Sequence, residues 1–152
     1  MSDIILEIAE WNEDRDNLHF DGANEFDMLA EELDEFAWAL PKSLQDKFGE
    51  MSQEEAEERM EELTEYLQSD EGRAAVLTNQ LDALADLVFV AVGSMIKLTK
   101  DFRHVEDVFH AVIAANNLKG KDKENGKITK PVDFVGPESI INKIALEVLD
   151  GS

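Results

Sequence analysis

The stretch from 71 to 99, EGRAAVLTNQLDALADLVFVAVGSMIKLT, decides the fold of this chain. Its apolar residues recur at helical spacing, which predicts one long helix. The second half of that helix is apolar on nearly all sides, so several neighbouring helices or a second subunit must cover it. The stretch therefore indicates a helical bundle and favours a homodimer.

Amphipathic spacing and end signals predict further helices on both sides of this stretch. Pro41 ends one of them, a capping box of Ser52 with Glu55 opens another, and Asn125-Gly126 favours a short hairpin. The sequence thus predicts a single all-α domain over 1–152, a bundle of about five to six helices with a small hairpin or loop near 119–131 and completed by dimerisation. The other predicted helices cover 3–14, 24–40, 53–68, 104–116 and 137–149.

Composition excludes several classes of function. The chain carries 35 acidic and 14 basic residues, a net charge of −21, which argues against binding nucleic acid or an anionic membrane. It contains no cysteine, so disulfides and thiolate metal sites are excluded. The apolar run at 87–96 is too short to span a bilayer, which needs about 20 residues. A cytoplasmic protein is expected.

Two acidic clusters lie beside apolar residues on separate helical stretches. The first lies in AEELDEF at 30–36 and the second in LDALADLVF at 81–89. Carboxylates three or four residues apart share a helix face and repel unless a cation neutralises them. If the two helices pack antiparallel, the clusters face each other and offer only oxygen ligands, which suit Mg²⁺ or Mn²⁺. The clusters comprise Glu31, Glu32, Glu35, Asp82 and Asp86.

One other interpretation of these acids stays open, and a second, a di-iron site, does not fit the sequence. They could be ordinary surface acids, although Asp86 is flanked by apolar residues and is expected to be buried with a partner. A di-iron bundle would need two Glu-x-x-His pairs, and the chain offers only Asp107-x-x-His110, so that site is set aside.

A basic segment interrupts the acidic chain near its C-terminal end. Residues 119–130 carry a net charge of +3, whereas the rest of the chain carries −24. Lysine binds phosphate as a point charge, so the segment is a candidate anion clamp, with a solvated loop as the alternative. Its basic residues are Lys119, Lys121, Lys123, Lys127 and Lys130.

The pattern resembles the all-α nucleotide pyrophosphohydrolase superfamily, which includes MazG proteins, dimeric dUTPases and phosphoribosyl-ATP pyrophosphohydrolases. The matching motifs are EELDE at 31–35, DALAD at 82–86 and NNLK at 116–119, followed by Gly126-Lys127 and Lys130-Pro131. The resemblance covers roughly residues 11–137. Many members carry Glu-x-x-Asp on the second acidic helix, where this chain has Ala83 in place of the glutamate.

The resemblance implies a Mg²⁺-dependent hydrolase that converts a nucleoside triphosphate to a monophosphate and pyrophosphate, clearing non-standard or surplus nucleotides. It implies that Glu32, Glu35, Asp82 and Asp86 hold the metal, with Glu31 as a further ligand or the group that orients water. It implies a homodimer or a dimer of dimers. Trp11 and Asn12 are candidates for the base pocket. The substrate-binding residues that it implies are Asn116, Lys119, Lys127 and Lys130.

Two other functions compete with this one. A non-enzymatic acidic helical protein could mimic DNA, and in that case the acids should spread over the surface and Asp86 should be exposed. A phosphoribosyl-ATP substrate is disfavoured, because the chain is long for that role and its N-terminal segment differs.

Overall fold

The computed structural model describes residues 2–38, 49, 51–121 and 124–151. Seven helices and one two-stranded hairpin lie within these residues, which confirms the all-α prediction. The helices are α1 (Ser2–Asp14), α2 (Gly22–Trp38), α3 (Gln53–Glu58), α4 (Met60–Gln68), α5 (Asp70–Thr99), α6 (Phe102–Asn117) and α7 (Glu138–Asp150), and the strands are β1 (Gly120–Lys121) and β2 (Ile128–Thr129).

The chain divides into two compact units. The first contains Met1–Phe20 and Val92–Ser152, and the second contains Asp21–Ala91. The helix α5 begins in the second unit and ends in the first. The prediction of a single domain over 1–152 stays a prediction.

The first unit is built around α6, which packs against both α1 and α7. Asp101 caps α6 by accepting a hydrogen bond from the backbone N–H of Arg103 at 2.9 Å. Apolar side chains that recur every three or four residues on each helix form the core. The buried apolar residues of this unit are Ile5, Ile8, Val92, Ile96, Val105, Ala111, Ala115 and Ile144.

In the second unit, part of the small core lies at α4, where Tyr66 is buried against Met51 and Leu63. The predicted capping box of Ser52 with Glu55 opens α3 and is confirmed. The prediction of one helix over 53–68 is wrong in detail, because the helix is interrupted at Arg59. Six glutamates lie between 54 and 62, and like charges three or four residues apart disfavour an uninterrupted helix.

The predicted hairpin is present. Its strands pair antiparallel, with Gly120 opposite Thr129 and Lys121 opposite Ile128. Six residues, 122–127, separate the strands, so the two-residue turn that Asn125-Gly126 favours does not join them directly. Gly126 still adopts a left-handed φ of +70°, and Asn125 Oδ1 accepts a hydrogen bond from the backbone N–H of Lys127.

None of the helices in the described part of the chain is long and apolar enough to cross a membrane. The predicted end of α2 at Pro41 lies outside the described residues.

Candidate functional site

The two acidic clusters come together within the second unit. Burial raises the pKa of Glu32 above its ordinary value of 4.5, and four neighbouring carboxylates raise it further. These neighbours come from both α2 and α5, so acids of the two helices lie close enough for their charges to act on Glu32. In decreasing order of effect, the neighbours are Glu35, Asp86, Glu31 and Asp82.

Glu32 differs from the other four acids in its exposure to water. It is half-buried, whereas Glu31, Glu35, Asp82 and Asp86 are exposed. Its Oε2 atom is fully buried and receives no hydrogen bond from the described residues. A buried carboxylate oxygen without a donor is costly, and a proton or a cation would relieve that cost.

The fit of these residues to a metal ion depends on their chemistry and on their spacing. All five offer carboxylate oxygens, which suit Mg²⁺ or Mn²⁺, and the buried Oε2 of Glu32 lacks a partner. Across the described ranges, no three acidic, histidine or cysteine side chains are already arranged around a common metal position. The cluster therefore fits the ion by donor type, and its exposed members would have to rotate toward Glu32 to coordinate it.

The expectation that Asp86 is buried is wrong. Its side chain is exposed, although its charge acts on Glu32. Two apolar residues near it on α5 are exposed as well, Leu84 at 40% and Val88 at 52%, whereas Leu87 and Phe89 are half-buried. The face of α5 that carries Leu84 and Val88 is therefore left uncovered by the described residues of one chain, which is why apolar neighbours in the sequence did not imply burial.

Three of the four predicted substrate-binding residues come together in the first unit. The Nζ atom of Lys119 lies 2.5 Å from Oδ1 of Asn116. Lys119 and Lys130 both place their ammonium groups over the ring of Phe134. The fourth, Lys127, is exposed, and its backbone N–H donates a hydrogen bond to Oδ1 of Asn125.

Phe134 was missed by the sequence reasoning. In the sequence, Phe134 lies four positions after Lys130 in KPVDF, and this spacing alone does not predict a contact between its ring and the lysines. A hydrogen bond from its backbone N–H to the carbonyl of Pro131 closes the turn that places the ring near the lysines.

Asn12 has a structural position that does not suit a base pocket. It is 2% exposed, its Nδ2 donates to the carbonyl of Ile8 at 2.8 Å, and its Oδ1 accepts from Nδ2 of Asn17 at 2.8 Å. Its amide therefore closes the end of α1. Trp11 is exposed at 39% and stacks with Arg15, whose guanidinium lies 4.3 Å from the ring centroid.

Comparison with protein-family models, with curated proteins and with solved structures found no match. A function for this chain must therefore be argued from its residues and their arrangement.

Proposed function

We propose that this chain is a Mg²⁺-dependent nucleoside triphosphate pyrophosphohydrolase that releases a nucleoside monophosphate and pyrophosphate. One observation carries the proposal: the charges of four carboxylates from two helices act on Glu32, whose buried Oε2 lacks a hydrogen-bond donor among the described residues. The motifs at 31–35 and 82–86 support it through their resemblance to the all-α pyrophosphohydrolases. In this proposal the protein acts in the cytoplasm on surplus or non-standard nucleotides.

The carboxylates have distinct roles in this proposal. Glu32, Glu35, Asp82 and Asp86 hold Mg²⁺ or Mn²⁺. When bound, such an ion neutralises charge on the triphosphate and lowers the pKa of a coordinated water. Glu31 is a further ligand or orients the attacking water. Because Glu32 is the one member that is partly buried, its position is held by packing, and it anchors the site.

The resemblance assigns polyphosphate binding to residues of the first unit. Lys119 and Lys130 present ammonium groups, Asn116 holds Lys119, and Lys127 adds an exposed positive charge. Phosphoryl transfer needs little covalent participation from the protein, so charge neutralisation and positioning suffice for catalysis.

A second copy of the chain is the proposed partner. Four apolar side chains on α5 follow the four-three-four spacing of a helix–helix contact and are at least 40% exposed. Phe26 and Leu33, seven residues apart on α2, are 69% and 55% exposed. Fully burying one such side chain contributes about 1.5–3 kcal/mol, so covering this face would stabilise a dimer. The α5 residues are Leu77, Leu81, Leu84 and Val88.

The activity is tested by incubating the protein with a panel of nucleoside triphosphates and Mg²⁺ and measuring pyrophosphate. Glu35→Ala and Asp86→Ala should abolish pyrophosphate release while the far-UV circular dichroism stays helical. Asp34→Ala is the matched control, since Asp34 is an exposed acid on α2 outside the five and should keep activity. Unchanged activity in either site variant would refute the metal assignment.

One observation favours a second candidate, a non-enzymatic acidic protein that occupies a DNA-binding partner. Asp86 is exposed, as that function requires. The same nucleotide panel separates the two candidates, because an acidic mimic releases no pyrophosphate from any nucleotide at any Mg²⁺ concentration.

A further inference from the structure

The hairpin register brings two lysines side by side in the first unit. Gly120 on β1 lies opposite Thr129 on β2, so Lys119 and Lys130 are the next residues outward at the open end of the hairpin. Residues opposite each other on antiparallel strands lie about 4.5–5.5 Å apart, and like charges placed there are destabilising. Something must therefore offset the repulsion between these two lysines.

The ring of Phe134 provides that compensation. The Nζ atoms of Lys119 and Lys130 lie 5.7 Å and 5.2 Å from its centroid. The negative face of an aromatic ring attracts ammonium groups within about 6 Å. Asn116 adds a hydrogen bond from Lys119 Nζ to its Oδ1.

The two ammonium groups lack the partner that this composition makes most available. The chain has 35 acidic residues and 14 basic ones, yet no carboxylate of the described residues forms an ion pair with Lys119 or Lys130. Other basic residues of the chain do form such pairs: Arg59 with Glu62 and Arg103 with Asp101. The ammonium groups of Lys119 and Lys130 are therefore available to bind an external anion.

We propose that Phe134 is a positioning residue that holds Lys119 and Lys130 as a two-ammonium site for a phosphate chain. Two separate point charges suit an anion with charge on neighbouring phosphoryl groups, as in a diphosphate or triphosphate, better than a single phosphate. The identity of the physiological ligand, a nucleoside triphosphate, rests on the proposed function. Binding of an inorganic triphosphate does not depend on it.

The site is tested by titrating the full chain with inorganic triphosphate in EDTA at low salt, using isothermal titration calorimetry. Phe134→Leu keeps an apolar side chain but removes the ring face, and it should weaken binding about five- to tenfold. Phe134→Tyr keeps the ring and should bind like the unsubstituted chain. Phe20→Leu is the control, since Phe20 is an aromatic residue of the same unit outside this cluster.

A charge variant keeps the test decisive if Phe134→Leu does not fold. Lys130→Met retains the length of the side chain and removes its charge, so triphosphate binding should fall at least tenfold. Raising the salt concentration should weaken binding to the unsubstituted chain, because the attraction is between exposed charges. Wild-type affinity in Lys130→Met, or in a folded Phe134→Leu variant, overturns the proposal.

Failure of this site and failure of the proposed function give different results. If triphosphate binds in EDTA but no nucleotide is hydrolysed with Mg²⁺, the site stands and the enzymatic proposal fails. If pyrophosphate is released but inorganic triphosphate does not bind in EDTA, the enzymatic proposal stands and the two-ammonium site fails. Glu35→Ala should lose pyrophosphate release and keep metal-free triphosphate binding.

Discussion

Replacing Glu32 with glutamine should stabilise the metal-free protein while it abolishes Mg²⁺-dependent activity. Glutamine keeps the size of the side chain and removes the charge that four neighbouring carboxylates repel. The same charge is needed to hold a cation in the proposed function. Stability and activity should therefore change in opposite directions at this one position.

The size of the gain follows from the repulsion that is removed. One of the four neighbours, Glu35, is three residues away on the same helix, and such a like-charge pair costs about 0.2–0.5 kcal/mol. The other three act across exposed, screened surface, so the total is about 1 kcal/mol. For a chain of this size, this corresponds to a rise in Tm of roughly 2–4 °C.

The assay is thermal unfolding followed by circular dichroism at pH 7 in EDTA and low salt. Asp34→Asn on the same helix is the control and should change the unfolding free energy by less than about 0.5 kcal/mol. Adding Mg²⁺ should raise the Tm of the unsubstituted chain by mass action and leave that of Glu32→Gln nearly unchanged.

The pH dependence gives a second, independent readout. The pKa of Glu32 is raised in the folded chain above its ordinary 4.5, so the folded state holds this proton more tightly than the unfolded state does. The protonated form of Glu32 contributes its full stability to the folded chain below pH 4.5. This contribution is lost as the carboxyl group ionises, when the pH rises through its folded pKa. The advantage of Glu32→Gln should therefore vanish near pH 4 and grow toward pH 7. A variant less stable than the unsubstituted chain at pH 7, or an advantage independent of pH, would refute this reasoning.

Two further predictions concern the proposed dimer and the end of α1. Leu81→Glu should convert the dimer to a monomer, measured by light scattering at micromolar concentration. Leu146→Glu, at an exposed leucine of α7, is the control and should leave the dimer intact. A monomeric unsubstituted chain would contradict the dimer. Asn12→Ala should lower the unfolding free energy by about 1–3 kcal/mol in urea denaturation, because it removes two side-chain hydrogen bonds of a buried amide, one to the Ile8 carbonyl and one from Asn17 Nδ2. A loss below about 0.5 kcal/mol would show that water replaces both bonds.

Most of the secondary structure could be predicted from local patterns in the sequence. The long helix predicted over 71–99 is Asp70–Thr99, and the last helix, predicted over 137–149, is Glu138–Asp150. These elements follow from apolar spacing and end signals, which are local. The break at Arg59 was not predicted, because the capping box and apolar spacing favour a helix there and do not measure repulsion among its glutamates.

The grouping of the acids along each helix could be predicted from the sequence, whereas their exposure to water could not. Spacing of three and four residues places Glu31, Glu32 and Glu35 on one face of α2. That they approach the acids of α5 was expected only if the two helices pack antiparallel, and the charges of Asp82 and Asp86 do act on Glu32. Asp86, expected to be buried, is exposed, because apolar neighbours in sequence do not guarantee a covering element.

The sequence by itself determined the helices and the grouping of carboxylates along each of them. Both properties depend on spacing within one segment, because the helical repeat sets the face of the helix on which each side chain lies. Tertiary structure alone decided that Oε2 of Glu32 is the atom removed from water and that Phe134 lies under two lysines. Burial and cross-strand register arise from contacts between distant segments, and their energies depend on packing that local spacing does not encode.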